Sequence, residues 1–221
     1  MSRLVRLTDL RDEAEKLLTA VPDGDPLDEP SGALVRLAVN ASVCTLDPAG
    51  IDDAIGRALD AGVTPEQVHE TLVLVSALGV HTLMEGSRRL STALRARGLP
   101  ATHEDPTRTA LRARLVGTDP YWAEFEREVP GFLDALLEHS PEAYEAFFAY
   151  CAVPWTTGTV RARTKELMAM ACDATPTHRY LPGMRLHLAN AVRLGTGAVA
   201  IRKALQIGAA APSHPGVAGA G

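Results

Sequence analysis

Apolar residues recur along this chain at helical spacing, and no segment alternates apolar and polar residues over the length of a β-strand. The clearest helix signal is at 64–79. Thr64-Pro65-Glu66-Gln67 combines an N-cap, a proline at the first helical position and a capping-box glutamine, and apolar residues follow at helical spacing from Val68 to Leu78. The same reasoning predicts helices at about 3–20, 31–43, 51–59, 81–97, 119–128, 130–138, 141–152, 160–172, 182–194 and 197–209. We therefore predict an all-α protein.

Prolines and glycines concentrate at 21–32 and 98–106, between the predicted helices. The second of these segments is the better candidate boundary, and it divides the chain into residues 1–100 and 107–221. The tail at 209–221 is rich in alanine, glycine and proline, and we expect it to be loosely packed.

The two halves of the chain resemble each other when one is displaced by 133 residues, because residues 34–86 then align with 167–219 without a gap. Identical pairs include Leu34/Leu167, Gly50/Gly183, Ala58/Ala191, Gly62/Gly195 and Leu72/Leu205, although most identities are alanine or glycine. Conservative pairs such as Ile51/Met184 and Ile55/Leu188 strengthen the match. We predict an internal duplication.

Composition and charge limit the kinds of molecule that this protein is expected to bind. An apolar content of 46% is ample for a buried core, in one domain or two. The net charge is −5 and the basic residues are dispersed, so a nucleic-acid partner is not expected. The N-terminus has no apolar segment of a secretory signal, and the longest apolar stretch, 72–80, is far shorter than the roughly 20 residues of a membrane span. We expect a cytoplasmic protein that makes no contact with membranes.

The chain has three cysteines, Cys44, Cys151 and Cys172, an odd number whose spacing matches no zinc or CxxC pattern. We expect them to be reduced and to behave as small apolar residues.

Three segments carry a resemblance to a known superfamily. The helix at 164–174 is rich in small residues after Lys165-Glu166-Leu167, the helix at 182–195 contains His187 and ends at Gly195, and 197–209 follows as a third helix. This order is similar to that of the carboxymuconolactone decarboxylase/alkylhydroperoxidase D-like superfamily, with 140–155 as its lead-in helix and 33–97 as a more divergent copy. The resemblance implies an all-α, alkylhydroperoxidase D-like helical bundle in two tandem copies, and a homo-oligomer: a dimer, trimer or hexamer.

In the peroxidase members of that superfamily a glutamate is followed by CxxCxxxH. Here Glu166 and His187 match the glutamate and histidine, whereas Tyr180 and Gly183 stand at the two cysteine positions. A thiol peroxidase needs an attacking thiolate and a neighbouring resolving thiol, so peroxidase activity is not expected. In the N-terminal copy the glutamate and histidine are also missing, replaced by Ala33 and Ala54. If the chain has one site, the second copy carries it.

The decarboxylase branch of the superfamily requires no thiol pair. Loss of CO₂ from an acid conjugated to a lactone or ketone requires a cation for a carboxylate, donors for the developing enolate charge and a general acid. By resemblance, His187 is the acid and Glu166 orients it. Tyr180 or His178 then donates to the oxyanion, and Arg185 and Arg179 are the candidate substrate cations. This chemistry needs no metal or organic cofactor, in agreement with a sequence that shows no spaced ligand set and no phosphate-binding glycine loop. The predicted function is therefore a cofactor-independent lyase that decarboxylates or isomerises a small, cyclic or aromatic-derived carboxylic acid.

Simpler interpretations of the same residues stay open. His187 lies on one helical stripe with Tyr180 and Met184, so it is also consistent with a core or interface histidine bonded to Glu166. Arg185 falls beside that stripe, where an arginine is commonly a surface charge. The alternative function is a non-catalytic protein that binds a small molecule, or assembles, on a degenerate scaffold.

Overall fold

The computed structural model describes residues 3–99 and 106–216, which form two compact units. Residues 3–78 and 154–216 make up unit 1, and the described residues between 79 and 153 make up unit 2. Within these described ranges the secondary structure is helical and contains no strand, as predicted. No described helix has the length and apolar character of a membrane span.

The helices of unit 1 are α1 (Leu7–Leu18), α2 (Glu29–Ala41), α3 (Pro48–Asp60), α4 (Pro65–Ser76), α10 (Ala162–Asp173), α11 (Leu181–Arg193) and α12 (Ala198–Ala209). Those of unit 2 are α5 (His81–Ala96), α6 (Pro106–Leu115), α7 (Pro120–Glu128), α8 (Phe132–His139) and α9 (Pro141–Thr157), of which α9 runs on into unit 1. A 3₁₀ turn at Ala77–Val80 follows α4.

Most predicted helices agree with these bounds to within a few residues. The predicted helix at 64–79 ends at Ser76, where the 3₁₀ turn begins, and the one at 3–20 begins at Leu7. Helix α6 was not predicted, because its sequence is mostly polar and Leu111 is its one buried residue. Of the predicted boundary at 98–106, residues 100–105 lie outside the described residues, as do residues 217–221 of the predicted loose tail.

The capping box at the start of α4 is confirmed. Thr64 Oγ1 accepts from the Gln67 backbone N–H at 3.3 Å, and Gln67 Oε1 accepts from the Thr64 N–H at 2.9 Å. Gln67 Nε2 also donates to the carbonyl of Thr159 at 2.9 Å, so the residue that starts α4 also holds the segment that leads into α10.

The helices of the two predicted repeats correspond closely. Helices α10, α11 and α12 each begin 133 residues after α2, α3 and α4. The connecting loops correspond as well, because Leu46 and Arg179 are the non-glycine residues with positive φ among those described, and they too are 133 apart. Gly62 and Gly195, with φ of 80° and 82°, end α3 and α11 in the same way. These correspondences support the predicted duplication.

Matched residues of the two repeats also touch each other within unit 1. The hydroxyls of Ser31 and Thr164 lie 3.2 Å apart, and Thr177 Oγ1 donates to the Cys44 carbonyl at 2.6 Å; both pairs are separated by 133 residues. Contacts between equivalent positions are the signature of a two-fold relationship. Helices α2 and α10 pack together, and the two repeats share one apolar core.

A buried ion pair links the repeats. The side chains of Lys165 on α10 and Glu70 on α4 are 2% and 4% exposed and are in direct contact, and Lys165 Nζ also donates to the carbonyl of Pro154. Glu70 accepts from the backbone N–H groups of Thr159 and Val160 at 3.1 and 3.3 Å. Burial alone raises the pKa of Glu70, but Lys165 and the Thr159 and Val160 donors outweigh it and hold this pKa at about 2.

Glu70→Gln removes the partner of a buried ammonium and is expected to lower the free energy of unfolding by about 3–5 kcal/mol. Urea denaturation followed by circular dichroism measures this change. The control is Glu15→Gln, which breaks the half-exposed pair with Arg202 and should cost below about 1 kcal/mol. Equal losses in the two variants would contradict the role of Glu70.

The stabilisation that the Glu70–Lys165 pair contributes depends on pH. Because the pKa of Glu70 is lower in the folded protein than its ordinary 4.5, its contribution is complete above about pH 4.5 and is lost as the pH falls toward 2. The difference in stability between wild type and Glu70→Gln should therefore shrink over that interval.

Candidate active site

The predicted pair Glu166 and His187 comes together across the interface of α10 and α11, which pack against each other. Glu166 Oε2 lies 2.7 Å from His187 Nδ1. The other carboxylate oxygen, Oε1, accepts from Asn190 Nδ2 at 3.1 Å, and the Arg193 guanidinium in turn donates to the Asn190 amide oxygen. The glutamate is therefore held at both oxygens, in one orientation.

This hydrogen bond decides which nitrogen of His187 is available. An ionised carboxylate can only accept, so Nδ1 carries the proton of the bond and Nε2 is the nitrogen left for chemistry. The Glu166 side chain is 8% exposed and that of His187 is 19% exposed. The imidazole is thus the more accessible partner, with the carboxylate behind it.

The environment of His187 has opposing effects on its pKa. Burial lowers the pKa of His187, whereas the hydrogen bond and charge of Glu166, with a smaller contribution from Asp173, raise it; the net shift is upward. His187 therefore keeps its proton to a higher pH than an ordinary histidine. This property suits a general acid that works near neutral pH.

Sequence reasoning missed Asn190. It lies three residues after His187, on the same face of α11, so the helical spacing alone could have indicated it. Its counterpart in the first repeat is Arg57, just as Ala33 and Ala54 are the buried counterparts of Glu166 and His187. The hydrogen-bonded set is therefore specific to the second repeat.

A second group lies around the loop between α10 and α11. His178 Nε2 lies 3.3 Å from Oδ1 of the fully buried Asp173, and the ring of Tyr180 stacks on the His178 ring with centroids 5.7 Å apart. Burial lowers the pKa of His178, but the neighbouring carboxylate of Asp173, with a smaller contribution from Cys44, outweighs this effect and raises the pKa to about 9. His178 is therefore a cation at neutral pH.

The two arginines that are predicted to bind a substrate carboxylate, Arg185 and Arg179, lie in different surroundings. Arg185 Nε donates to Glu13 Oε1 of α1 at 2.9 Å, which ties this arginine to α1. Arg179 is exposed and has a φ of 49°, in the turn before α11. Their proposed contact with substrate stays a prediction.

The packing around Gly183 explains why a cysteine does not fit at the position of the second cysteine of the peroxidase motif. A Cβ atom built there would collide with the carboxylate of Asp173 and would press on the Tyr180 ring at 2.9 Å. Of the three cysteines, Cys172 is fully buried, and burial raises its pKa well above the ordinary value, so its thiolate form is disfavoured.

Unit 1 also contains two cavities. One, of about 250 Å³, lies between α1 and α12 and includes Leu10 and Arg202 in its wall. The other, of about 230 Å³, is bordered by Asp28 and Arg163. Glu166 and His187 line neither of these two cavities.

Gly183→Ala should lower the free energy of unfolding by about 1–3 kcal/mol, because the added methyl group collides with a buried carboxylate. The control is Gly56→Ala on α3, where no atom lies within 4 Å of the new Cβ. The higher helix propensity of alanine should raise the free energy of unfolding of this variant by at most about 1 kcal/mol. Urea unfolding curves of both variants make the comparison. A Gly183→Ala protein as stable as wild type would show that this packing is not tight.

Comparison with known proteins adds one structural match. The chain is similar to a "putative gamma-carboxymuconolactone decarboxylase subunit" from Burkholderia xenovorans LB400, whose crystal structure was determined at 1.70 Å resolution. The TM-score is 0.70 with 33% sequence identity, over 93% of this chain and 90% of the other. No family model matches the sequence, and no curated protein matches it. The match confirms both the resemblance and the all-α fold expected from the sequence, and with this identity over most of both chains, the protein belongs to the carboxymuconolactone decarboxylase family.

Proposed function

We propose that this protein is a cofactor-independent lyase that decarboxylates a small, cyclic or aromatic-derived carboxylic acid, with isomerisation of such an acid as the related reaction. The observation that carries the proposal is the 2.7 Å hydrogen bond between His187 Nδ1 and Glu166. It supplies a histidine of fixed orientation and raised pKa on a scaffold whose family is named for decarboxylation.

In this proposal His187 is the general acid. When CO₂ leaves a carboxylate conjugated to a lactone or ketone, the electron pair of the broken bond passes into an enolate. His187 Nε2–H then delivers a proton to that enolate, and Glu166 stabilises the imidazolium before transfer and returns the ring to the same orientation afterwards. Asn190 is a positioning residue that acts through Glu166.

In this proposal the residues of the second group, around His178 and Tyr180, stabilise the negative charge that develops on the enolate oxygen. Gly183, which packs against Asp173, is four residues before His187 on α11, so the two groups lie one helical turn apart. The cationic His178 and the hydroxyl of Tyr180 are our candidates for donors to the developing oxyanion. Arg185 and Arg179 remain the candidate cations for a substrate carboxylate.

The same proposal assigns the first repeat a structural role. Ala33 and Ala54 occupy the positions of Glu166 and His187 there, and both are buried in the shared core. We further propose that the chains associate into a homo-oligomer, as the resemblance implies.

Replacing His187 by Gln should lower kcat/KM for decarboxylation by about 10²–10⁴-fold, the usual contribution of a general acid. The assay is CO₂ release from γ-carboxymuconolactone, the compound in the name of the structural relative, and from a panel of related lactone and 2-oxo acids. Glu15→Gln on α1, which breaks the half-exposed pair with Arg202 and touches none of the candidate site residues, is the control and should leave kcat/KM unchanged.

The pH profile separates a catalytic from a structural role. A general acid acts in its protonated form, so wild-type kcat/KM should fall as the pH rises through the raised pKa of His187. Glu166→Gln removes the charge that raises this pKa, and the fall should move to lower pH. Full turnover by His187→Gln would refute the proposal, and a wild-type protein that binds these acids without releasing CO₂ would favour the binding-protein alternative.

A further inference from the structure

Two polar side chains of the first repeat occupy the space between the start of α4 and the segment that leads into α10. Gln67 Oε1 accepts from the Thr64 N–H at 2.9 Å, and Gln67 Nε2 donates to the Thr159 carbonyl at 2.9 Å. Glu70 lies about one helical turn further on, where it accepts from the Thr159 N–H at 3.1 Å and contacts Lys165. The carboxamide of Gln67 therefore joins the N-cap of α4 to the neighbouring segment.

The corresponding place in the second repeat lies between the start of α12 and residues 25–28, which lead into α2. Gly197 and Ala200 stand there at the positions of Thr64 and Gln67, 133 residues further along the chain. Neither residue has a side chain that could reach across the space. The cavity of about 230 Å³ is found at this place, with Gly197, Ala200 and residues 25–28 in its wall. It therefore corresponds to the space that the Gln67 carboxamide fills in the first repeat.

The start of α12 has no side-chain cap. The N–H groups of Ala198 and Val199 donate to the carbonyls of Pro22 and Asp23 at 2.9 and 3.0 Å, but the Gly197 N–H has no acceptor among the residues that the structure describes. Residue 197 could not carry a capping side chain, because a Cβ atom at Gly197 would collide with the Asp23 carbonyl. Helix α12 thus begins with a donor that still lacks an acceptor, at the positive end of the helix dipole.

A buried hydroxyl beside this cavity also lacks a partner. Thr196 borders the cavity and is only 7% exposed, and its Oγ1 makes no hydrogen bond within the described part of the chain. The first repeat has the apolar Val63 at this position. Because a buried polar group without a partner is unfavourable, the hydroxyl indicates that the cavity takes a molecule with polar atoms.

The charged residues in the cavity wall indicate which polar group fits. Arg163 is one cation, whereas Asp25 and Asp28 are two acids, so a further anion would face a net negative charge. Asp28 also caps α2, since it accepts from the Ser31 N–H at 2.8 Å. The wall contains both donors and acceptors. A neutral group that donates and accepts therefore suits it better than a carboxylate or a phosphate.

We propose that this cavity binds a small molecule through a primary carboxamide, the group that Gln67 supplies in the first repeat. The carboxamide oxygen accepts from the Gly197 N–H, as Gln67 Oε1 accepts at the N-cap of α4. Its NH₂ group donates to the carbonyl of Pro26, the counterpart of the Thr159 carbonyl to which Gln67 Nε2 donates. The Thr196 hydroxyl then has a partner in the ligand.

This site is independent of the proposed lyase reaction. Glu166 and His187 do not line the cavity, and neither does any other candidate residue of the lyase site. Binding of a carboxamide can therefore succeed or fail whatever reaction the protein catalyses.

The test is a ¹H–¹⁵N correlation NMR titration of the full-length protein with propionamide, which has the terminal carboxamide of a glutamine side chain. We expect saturable shifts of the Gly197 and Ala200 amide signals, with a Kd on the order of millimolar for so small a ligand. Propionate and inorganic phosphate are the charged comparisons and should bind at least about tenfold more weakly. A lack of saturable shifts with propionamide, or equal or tighter binding of propionate or phosphate, would overturn the proposal.

Ala200→Gln places a carboxamide in the cavity from α12 itself, as Gln67 does from α4. Propionamide should then bind at least about tenfold more weakly, because the new side chain occupies its place. Val199→Gln is the matched control, since it adds the same side chain at a position that is 37% exposed and outside the cavity wall, and it should leave binding unchanged.

The amide spectrum also reports whether each variant is folded. Unchanged binding of propionamide to a folded Ala200→Gln protein would show that the cavity is not the site. If Ala200→Gln does not fold, the preference of the wild-type protein for propionamide over propionate decides the question alone.

Discussion

Helix α10 is buried along almost its whole length, and yet it carries three acidic or basic side chains of the charged type inside the core: Lys165, Glu166 and Asp173. A buried charge is unfavourable unless a partner and hydrogen bonds compensate it, so each of the three must be paired within the bundle. Lys165 meets Glu70 of the first repeat, Glu166 meets His187 on α11, and Asp173 meets His178 in the following loop. These pairings join the central helix both to the rest of the fold and to the candidate site.

The helix of the first repeat that corresponds to α10 is α2, and it carries no charged residue at the matching buried positions. The positions equivalent to Lys165, Glu166 and Asp173 are Gly32, Ala33 and Asn40, and helix α2 packs against α10 with no buried ion pair of its own among the described residues. Because α2 imposes no charge that must be compensated, it can serve as an apolar support for α10. The asymmetry explains why the chemistry is assigned to one repeat although both have the same helices.

The features of the fold that depend on local structure were predictable from local signals in the sequence. The periodicity of apolar residues predicted the helices, the residue types at 64–67 predicted the capping box at Thr64, and the spacing of matching residues predicted the 133-residue correspondence. Helix α6 is the exception, because it is a polar helix with little apolar pattern. The pairing of Glu166 with His187 was available through the resemblance. Contacts between distant residues were not predictable in this way: Arg185 meets Glu13 172 residues away, and Cys44 reaches the His178 loop only because the repeats pack together. Asp173 was missed for a related reason, since its burial depends on neighbours from a loop rather than on its position in the helix.

In the proposed mechanism, Glu166 fixes the tautomer of His187 and raises its pKa, so that Nε2 is the proton donor. The most direct test is ¹⁵N nuclear magnetic resonance of the histidine side chains as a function of pH. We expect His187 to titrate above the ordinary histidine pKa of 6.5, its neutral form to keep the proton on Nδ1, and Glu166→Gln to lower the midpoint of the titration. A His187 that titrates at or below 6.5, with its neutral form protonated on Nε2, would contradict it.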